Sequence, residues 1–165
     1  MRRKDREMNS DFALLVSDKC EYAVLAMTDH DNMPYCLPLT IVREEDTIYF
    51  HSAMAGLKTD ILKTNPNICM TCVGDTHRLE DKFTTEFESA VIRGKAYEVT
   101  DAQEKIHALR LLCLRHTPAN MQQFDDSIRK SLDRTAVWKI KISSITGKRK
   151  KYDKNGIEMK YGRME

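Results

Sequence analysis

The chain has 165 residues, of which 41% are hydrophobic and 32% are charged, and its formal net charge is +2 at pH 7. This length suits one domain with a real core, and the near balance of charge gives no strong attraction to nucleic acid or to an anionic membrane. The N-terminal segment is charged, and no segment approaches the roughly 20 apolar residues of a membrane span. We therefore expect a cytoplasmic protein with neither nucleic acid nor a membrane as its partner.

Six segments carry the composition and alternation of β-strands, and segments with helical spacing separate them. The predicted strands are residues 22–28, 35–42, 47–51, 68–73, 84–99 and 136–142. The predicted helices begin near Ser10, Lys58, Thr100 and Met121, and the last two form a helical hairpin. This pattern predicts a mainly β fold with α, a six-stranded antiparallel barrel decorated by helices.

Proline and glycine mark two irregular places in the predicted sheet. Pro34 and Pro38 cannot donate ladder hydrogen bonds, so their strand is an edge, a bulge or a place where another group fills the gap. A plain edge strand and a strand that meets a flat ligand ring both stay open. Gly94 interrupts a long strand and predicts a bulge or bend.

Five cysteines give no sign of a disulfide framework or a metal site. Cys20, Cys36 and Cys113 are scattered among apolar residues, and thiols are the default there. Cys69 and Cys72 form Cys-x-x-Cys, but a strand directs residues three apart to opposite faces. We therefore predict two small core residues and no metal site.

The turn that follows the third strand, residues 49–62, says most about function. His51 and Ser52 come at the strand end, Gly56 permits a tight approach, and Lys58 opens a helix. Backbone N–H groups at a helix start, a hydroxyl and an ammonium all favour an anion. The spacing fits neither Gly-x-x-x-x-Gly-Lys-Ser/Thr nor Gly-x-Gly-x-x-Gly. A phosphate-bearing cofactor smaller than a nucleoside triphosphate or a dinucleotide is the better prediction.

Several of these residues keep a second interpretation. His51 holds the cofactor, acts as an acid or positions a substrate, or is a structural residue at a strand end. Lys58 binds phosphate or is a solvated helix residue. The basic run at residues 148–151 is interpreted as a solvated tail rather than a nucleic-acid contact, and Trp138 as a packing residue rather than one that stacks on a ligand.

The order of these motifs resembles the FMN-binding split barrels. The motifs are residues 34–40 on one strand, residues 49–53 with the Gly-x-Lys turn on the next, and residues 63–66 after the helix. Residues 1–7, 132–137 and 145–148 resemble, more closely, the nitroimidazole-resistance branch of the pyridoxamine phosphate oxidase-related superfamily. The resemblance implies an FMN-binding split-barrel domain at residues 1–147 and a basic polar tail at 148–165.

The resemblance implies FMN as cofactor and a set of residues around it. Residues 35–40 are expected along the isoalloxazine ring, and His51, Ser52 and Lys58 at the ribityl chain and phosphate. Ser89 is expected to approach from the adjoining strand, and His51 is the candidate catalytic residue. The expected cofactor-binding residues are Leu37, Pro38, Leu39, Thr40, His51, Ser52, Ala53, Gly56, Lys58 and Ser89.

The function implied is a homodimeric flavoprotein, with flavin at the subunit interface, that reduces a small-molecule electron acceptor such as a nitro compound. Pyridoxamine phosphate oxidases carry a second basic residue where this chain has Leu57, and the tail from Tyr152 lacks their basic substrate motif. This departure argues against vitamin B6 oxidation. The alternatives are a deazaflavin-binding or haem-binding split barrel, with His51 as axial ligand for haem, and a non-enzymatic flavin-binding or stress protein.

Overall fold

The computed structural model describes residues 1–162, and within them an antiparallel sheet of eight strands forms the centre of the molecule. The strands are β1 (Glu7–Met8), β2 (Ala23–Thr28), β3 (Pro34–Leu39), β4 (Val42–Glu44), β5 (Thr47–Ala53), β6 (Asn67–Leu79), β7 (Thr84–Glu98) and β8 (Thr135–Lys150). The helices are α1 (Ser10–Lys19), α2 (Leu57–Thr64), α3 (Ala102–His116) and α4 (Phe124–Ser131), with 3₁₀ turns at Lys4–Arg6, Pro118–Gln123 and Leu132–Arg134. The mainly β fold with helices is confirmed.

The sheet curls because its two ends are joined by a very short connection. The strand order is β3-β2-β6-β7-β8-β5-β4, and β1 pairs separately with β8. β3 and β4 stand at opposite ends of this order, yet only Thr40 and Ile41 connect them. Three Cα steps span roughly 11 Å at most, so the two ends lie close without pairing. Ile41 is buried at this junction.

The structure has eight strands where six were predicted, within the residues described. All six predicted strands are present, and the additional ones are β1 and β4. The predicted strand at residues 35–42 ends at Leu39, and the chain resumes as β4 after the two-residue connection. Strands of two or three residues are too short to show alternation, and the sequence pattern therefore missed them.

The predicted boundary between residues 147 and 148 falls inside β8, so the interpretation of a solvated tail from Lys148 onward is wrong for the first three residues. Lys148, Arg149 and Lys150 pair with β7. Arg149 Nε lies 3.3 Å from Glu88 Oε1, and Lys148 Nζ lies 5.5 Å from the centroid of the Phe87 ring. Cross-strand partners thus hold these cations on the sheet. The last residues of the predicted tail, 163–165, lie outside the described ones.

Two of the helices are capped by the residue next to their predicted start. Asn9 rather than Ser10 caps α1, since its Oδ1 accepts from Phe12 N–H at 2.9 Å. Asp101 rather than Thr100 caps α3, accepting from Glu104 N–H at 2.8 Å. In each case two adjacent residues are competent caps, and the helix register selects one of them.

Gly94 is the predicted irregularity, and its position allows no side chain. The register between β7 and β8 shifts at Arg93 and Gly94. A Cβ at Gly94 would lie 2.2 Å from the backbone oxygen of Lys141. The predicted bulge is confirmed, and close backbone approach is its cause.

Two hydrophobic cores share strands β5 and β8. The barrel core contains Phe50 and Trp138, whose rings stack with centroids 6.4 Å apart and an interplanar angle of 9°. The second core lies between these strands and the helical hairpin of α3 and α4, and it contains Tyr49 and Val137. Successive residues of a strand face opposite sides, so β5 sends alternate side chains into the two cores. The predicted helical hairpin and the packing role of Trp138 are confirmed.

The C-terminal segment docks on the N-terminal residues through an ion-pair cluster. Asp5 pairs with Arg3 at 2.6 Å and with Lys160 at 2.8 Å, and Glu158 pairs with Arg6 at 2.6 Å. The Arg6 hydrogen bond is the main cause that lowers the pKa of Glu158 from 4.5 to about 2, and the Arg3 hydrogen bond lowers the pKa of Asp5.

Acid is expected to release this segment before the barrel unfolds. Because both carboxyl pKa values are depressed in the folded protein, docking is fully favourable above pH 4.5 and weakens as pH falls toward about 2. Amide exchange of Tyr161, whose N–H donates to Asp5 O at 3.0 Å, measures the docking. Its protection factor should fall in this range while that of buried Ile92 persists; an unchanged Tyr161 value contradicts the prediction.

In the part of the chain described here, no helix combines the length and apolarity needed to cross a membrane.

Candidate functional site

The end of β5 carries the candidate site, because its last residues reach past both cores. His51 follows Tyr49 on the side of the strand that faces the helical hairpin, while Ser52 follows Phe50 on the barrel side. His51 and Ser52 pair with Val137 and Ala136 of β8. The strand therefore presents an imidazole and a hydroxyl to two different environments at one end of the barrel.

A cavity of about 470 Å³ lies between β5 and the helical hairpin, and we call it the hairpin cavity. Its apolar wall consists of Leu109, Leu112, Phe124 and Ile128. Thr40, from the connection that joins β3 to β4, and His51 also line it. Two residues predicted from separate motifs thus meet at one cavity.

Hydroxyl and amide side chains line the same cavity. They are Thr117, Asn120, Ser127, Ser131 and Thr135. The lining residues found within 1–162 include no Asp, Glu, Lys or Arg. The described lining is therefore polar in part, and it carries no carboxylate, ammonium or guanidinium group beside its two imidazoles, His51 and His116.

His51 is neutral near pH 7 and has a free ring. Desolvation is the main cause that lowers its pKa below 6.5, and Coulombic repulsion from Lys58 and, whenever it is protonated, from His116 acts in the same direction. Within residues 1–162 the imidazole makes no hydrogen bond. A neutral imidazole has one donor and one acceptor nitrogen, so His51 offers both to a bound molecule.

The turn from β5 to α2 has the geometry of an anion site. Gly56 caps α2 with φ of 129°, a conformation that L side chains rarely adopt, and no side chain of residues 1–162 accepts from the first-turn N–H groups. Thr59 Oγ1 donates to Ala53 O at 3.5 Å across the turn. The free N–H groups and the positive end of the helix dipole favour a negative group here.

Lys58 adds a cation with no counter-charge. Its Nζ lies 5.5 Å from the centroid of the buried Phe50 ring, and no carboxylate pairs with it within residues 1–162. Desolvation lowers the pKa of its ammonium group, which marks a charge partly removed from water. An anion bound at the turn would supply the missing partner.

Ser52 is already engaged in hydrogen bonds. Its Oγ donates to Ala53 O at 2.8 Å and accepts from Trp138 Nε1 at 3.3 Å. The hydroxyl would have to rotate away from Ala53 to donate to a phosphate. The structure therefore assigns Ser52 a support role for the turn in its present geometry.

The predicted ring-binding strand, β3, is an edge strand. It pairs with β2 alone, and the prediction of an edge for Pro34 and Pro38 is confirmed. Leu37 and Leu39 pack their side chains against the barrel core, while Pro38 is exposed. The other edge of β3 is thus a backbone edge with Pro38 on the outer face.

Ser89 does not join the other predicted residues within one chain. It pairs with Lys148 near one end of β8, whereas His51 pairs with Val137 near the other end. At the usual rise per residue these two positions of β8 are roughly 35 Å apart along the strand. Within one chain, Ser89 therefore lies near the end of β8 that is far from the turn.

Sequence reasoning missed the helical wall of the cavity. Leu109, Leu112 and Ile128 lie in the predicted helical hairpin and His116 lies at the end of α3, but none of them was a predicted site residue. His116 Nε2 donates to Ile41 O at 2.8 Å, which fixes the end of α3 beside the connection between β3 and β4. No local pattern shows that these helices leave space beside β5.

Within residues 1–162, no cluster of three or more His, Cys, Asp or Glu side chains could hold a metal ion. Cys72 is buried and Cys69 only half-buried, as alternating faces of β6 require. The strand geometry predicted for the Cys-x-x-Cys spacing is confirmed, but only Cys72 is a core residue, and the prediction of two core residues is wrong for Cys69.

Comparisons with known proteins agree with this architecture. The family model for pyridoxamine 5′-phosphate oxidase matches residues 14–149. A protein from Bacteroides thetaiotaomicron designated a 5-nitroimidazole antibiotic resistance protein is 25% identical, with a TM-score of 0.70 and coverage of 86% of this chain and 85% of that chain. Comparison with curated protein sequences gives no significant match.

Two further solved structures share the fold. A FAD-binding protein from Mesorhizobium loti is 18% identical, with a TM-score of 0.66 and coverage of 87% of this chain and 96% of that chain. The FAD and haem binding protein from Mycobacterium smegmatis is 16% identical, with a TM-score of 0.76 and coverage of 96% and 84%. At these identities they show the fold alone. Since the family model spans most of the chain and the predicted resemblance is confirmed, the chain belongs to the pyridoxamine 5′-phosphate oxidase family.

Proposed function

We propose that this chain is an FMN-binding oxidoreductase that passes electrons to a small organic acceptor, nitro compounds included. The observation that carries the proposal is the turn after β5, where, among residues 1–162, no carboxylate pairs with Lys58 and no side chain caps the N–H groups that begin α2. The designation of the Bacteroides thetaiotaomicron protein and the names of the flavin-binding neighbours support it.

The residues present fit the phosphate of FMN. Lys58 and the backbone N–H groups that begin α2 would hold its oxygens, as ammonium and amide donors do in other phosphate sites. Leu57 is exposed where pyridoxamine phosphate oxidases carry a second cation, so a single ammonium serves here. One cation suits one phosphate. A phosphorylated vitamin B6 substrate would therefore be a poor second ligand.

The free edge of β3 would receive the isoalloxazine ring. Backbone groups at Leu37, Pro38 and Leu39 lie on an edge with no strand beside it, and Thr40 extends this edge to the hairpin cavity. A flat ring with its own donors and acceptors can pair with such an edge. Bound flavin supplies the redox chemistry, and the protein orients it and controls access.

His51 would position the acceptor as a neutral hydrogen-bonding group. It lines the hairpin cavity, and its depressed pKa keeps a proton on one nitrogen and a lone pair on the other at neutral pH. It is the candidate catalytic residue. We place this activity in the cytoplasm.

A homodimer is part of the proposal. Pro38, Val24, Thr71, Val91 and Thr146 are successive Cα partners across β3, β2, β6, β7 and β8. This row is uncharged and lies on the face of the sheet away from the barrel core, with Val91 37% exposed. A second copy covering this face would also bring its Ser89 toward the flavin groove.

Val91→Lys is expected to convert the dimer to a monomer, because the substitution buries a charge at the centre of the proposed interface. Sedimentation measures the change. Leu114→Lys adds the same charge on the exposed face of α3 and should leave the dimer intact. A wild-type monomer that binds one FMN per chain would contradict the interfacial site.

The pKa of His51 is expected to lie below 6.5 and to rise when Lys58 is replaced by alanine. Lys58⁺ disfavours a second positive charge, so its removal raises the pKa of His51. Proton NMR of the His51 ring follows both titrations. An equal or lower pKa in Lys58→Ala would show that the two groups do not interact.

The absorption spectrum of the material that purifies with the protein tests the choice of cofactor. A flavin spectrum, with FMN released on denaturation and identified by mass, is the expected result. A deazaflavin, or a Soret band lost in His51→Ala, would replace FMN with the corresponding alternative. Reduction by NAD(P)H and reoxidation by nitro compounds then separate an enzyme from a flavin-binding protein without turnover.

A further inference from the structure

We propose that the hairpin cavity selects an uncharged organic molecule with an apolar body and a hydrogen-bonding edge, and rejects anionic molecules of the same size. This inference rests on the proposed function, in which that molecule is the electron acceptor. The cavity is separate from the turn between β5 and α2, which we call the phosphate turn, because neither Gly56 nor Lys58 lines it.

The size and wall of the cavity suit a small apolar body. Its volume of about 470 Å³ lies within the range of roughly 300 to 1,000 Å³ that small-molecule sites occupy. Leu112 and Phe124 are buried, and Leu109 and Ile128 complete the apolar wall. A ring or short hydrocarbon placed against this wall is removed from water on one side.

Polar groups converge on the same space and define an edge for hydrogen bonding. His51 makes no hydrogen bond within residues 1–162, and His116 commits only Nε2, to Ile41 O. Hydroxyl and amide groups of Asn120 and Ser127 add neutral donors and acceptors. A ligand with a carbonyl, amide or nitro edge can therefore be oriented here.

Two ion pairs of the helical hairpin lie outside the cavity. Arg110 Nη2 lies 2.8 Å from Asp125 Oδ1 and links α3 to α4 on an exposed surface, and Arg129 pairs with Asp126. None of these four residues lines the cavity. A bound anion would lose water without gaining a cation from the lining, which is unfavourable.

A matched pair of probes tests this selection without turnover. The aromatic probes 4-nitrobenzamide and 4-nitrobenzoate differ little in size but differ by one charge. We expect calorimetric titration of the FMN-loaded protein, with no reductant present, to give at least about tenfold tighter binding of the amide. Titration of the apo protein gives the same comparison independently of flavin.

Two variants and a control assign the selection to the cavity. Ile128→Trp should abolish binding of the amide by filling the space, and Ser127→Lys should raise the affinity for the benzoate to match or exceed that for the amide. Gln103→Lys adds the same charge at an exposed position of α3 outside the cavity and should change neither affinity. Circular dichroism and an FMN titration of each variant confirm folding and the flavin site.

Equal or tighter binding of the benzoate by the wild type would overturn the inference. So would equal effects of Ser127→Lys and Gln103→Lys, or amide binding that survives Ile128→Trp in a folded protein. Failure to bind FMN, with amide selection retained in the apo protein, would instead overturn the proposed flavin function and leave the cavity assignment intact.

Discussion

Lys58→Ala is expected to weaken FMN binding about 10- to 100-fold and to leave riboflavin binding almost unchanged, since a charge-assisted hydrogen bond contributes about 1.5 to 3 kcal/mol. Only FMN carries the phosphate, and Lys58 is a partly desolvated ammonium without a carboxylate partner in the described chain. Fluorescence titration with the two flavins measures the difference directly.

Lys63→Ala is the matched control for this experiment. Lys63 lies in the last turn of the same helix, is 52% exposed, and reaches Glu98 only at 3.8 Å. Its removal should change both affinities by less than about twofold. Equal losses of FMN and riboflavin binding in Lys58→Ala would point to disturbed folding of α2 and remove Lys58 from the phosphate site.

The reciprocal change, Leu57→Arg, should tighten FMN binding. Leu57 is 54% exposed at the first position of α2, so an arginine there costs little packing. Its guanidinium would add a second donor group beside the turn. A gain for FMN without a gain for riboflavin would show that this side of α2 faces the phosphate.

Trp138→Ala is expected to lower the free energy of unfolding by about 3 to 5 kcal/mol, the largest stability effect we foresee for one side chain. Trp138 is 1% exposed and stacks on Phe50, and its Nε1 donates to Ser52 Oγ. The substitution removes the ring that joins the barrel core to the end of β5. Urea denaturation followed by circular dichroism measures the loss.

Trp138→Phe keeps an aromatic ring and removes the indole N–H, which leaves the Ser52 oxygen without that donor. We expect a smaller loss, about 1 to 2 kcal/mol, and a modest effect on flavin affinity through the turn. If Trp138→Ala costs no more than Trp138→Phe, packing of this ring does not stabilise the site.

Local features of the sequence predicted the turn and the edge strand well. Gly56 and Lys58 lie within a few residues of the strand end, so the turn that they form follows from short-range chain geometry. Pro38 cannot donate a ladder hydrogen bond, which favours an edge position whatever the remaining fold. Gly94 lies at the bulge because a Cβ at this position would meet the backbone of the neighbouring strand, so no other residue fits there.

Features that depend on distant contacts were not predictable in the same way. The spacing of Leu109 and Leu112 shows an apolar helix face, but it does not show that the face leaves a cavity beside His51. The cations at Lys148 to Lys150 appear solvated until their partners on β7 are known. Ser89 and His51 lie in the same sheet, but the strand register pairs them with residues near opposite ends of β8, and the sequence pattern does not show this register.

The shared strand would hold the two proposed sites next to each other. β5 anchors Phe50 in the barrel core and Tyr49 in the helical core, and both anchors fix the residues that follow. The phosphate turn and the hairpin cavity therefore flank a single rigid strand end. In the proposed enzyme, cofactor and acceptor would meet across His51.

Equilibrium titration of the purified protein with FMN tests the central claim most directly. The account predicts saturable binding of one FMN per chain. The wild type should bind riboflavin more weakly than FMN, and Lys58→Ala should bind riboflavin as the wild type does. A protein that takes up no flavin at excess FMN, or that binds both flavins alike through the phosphate turn, would contradict it.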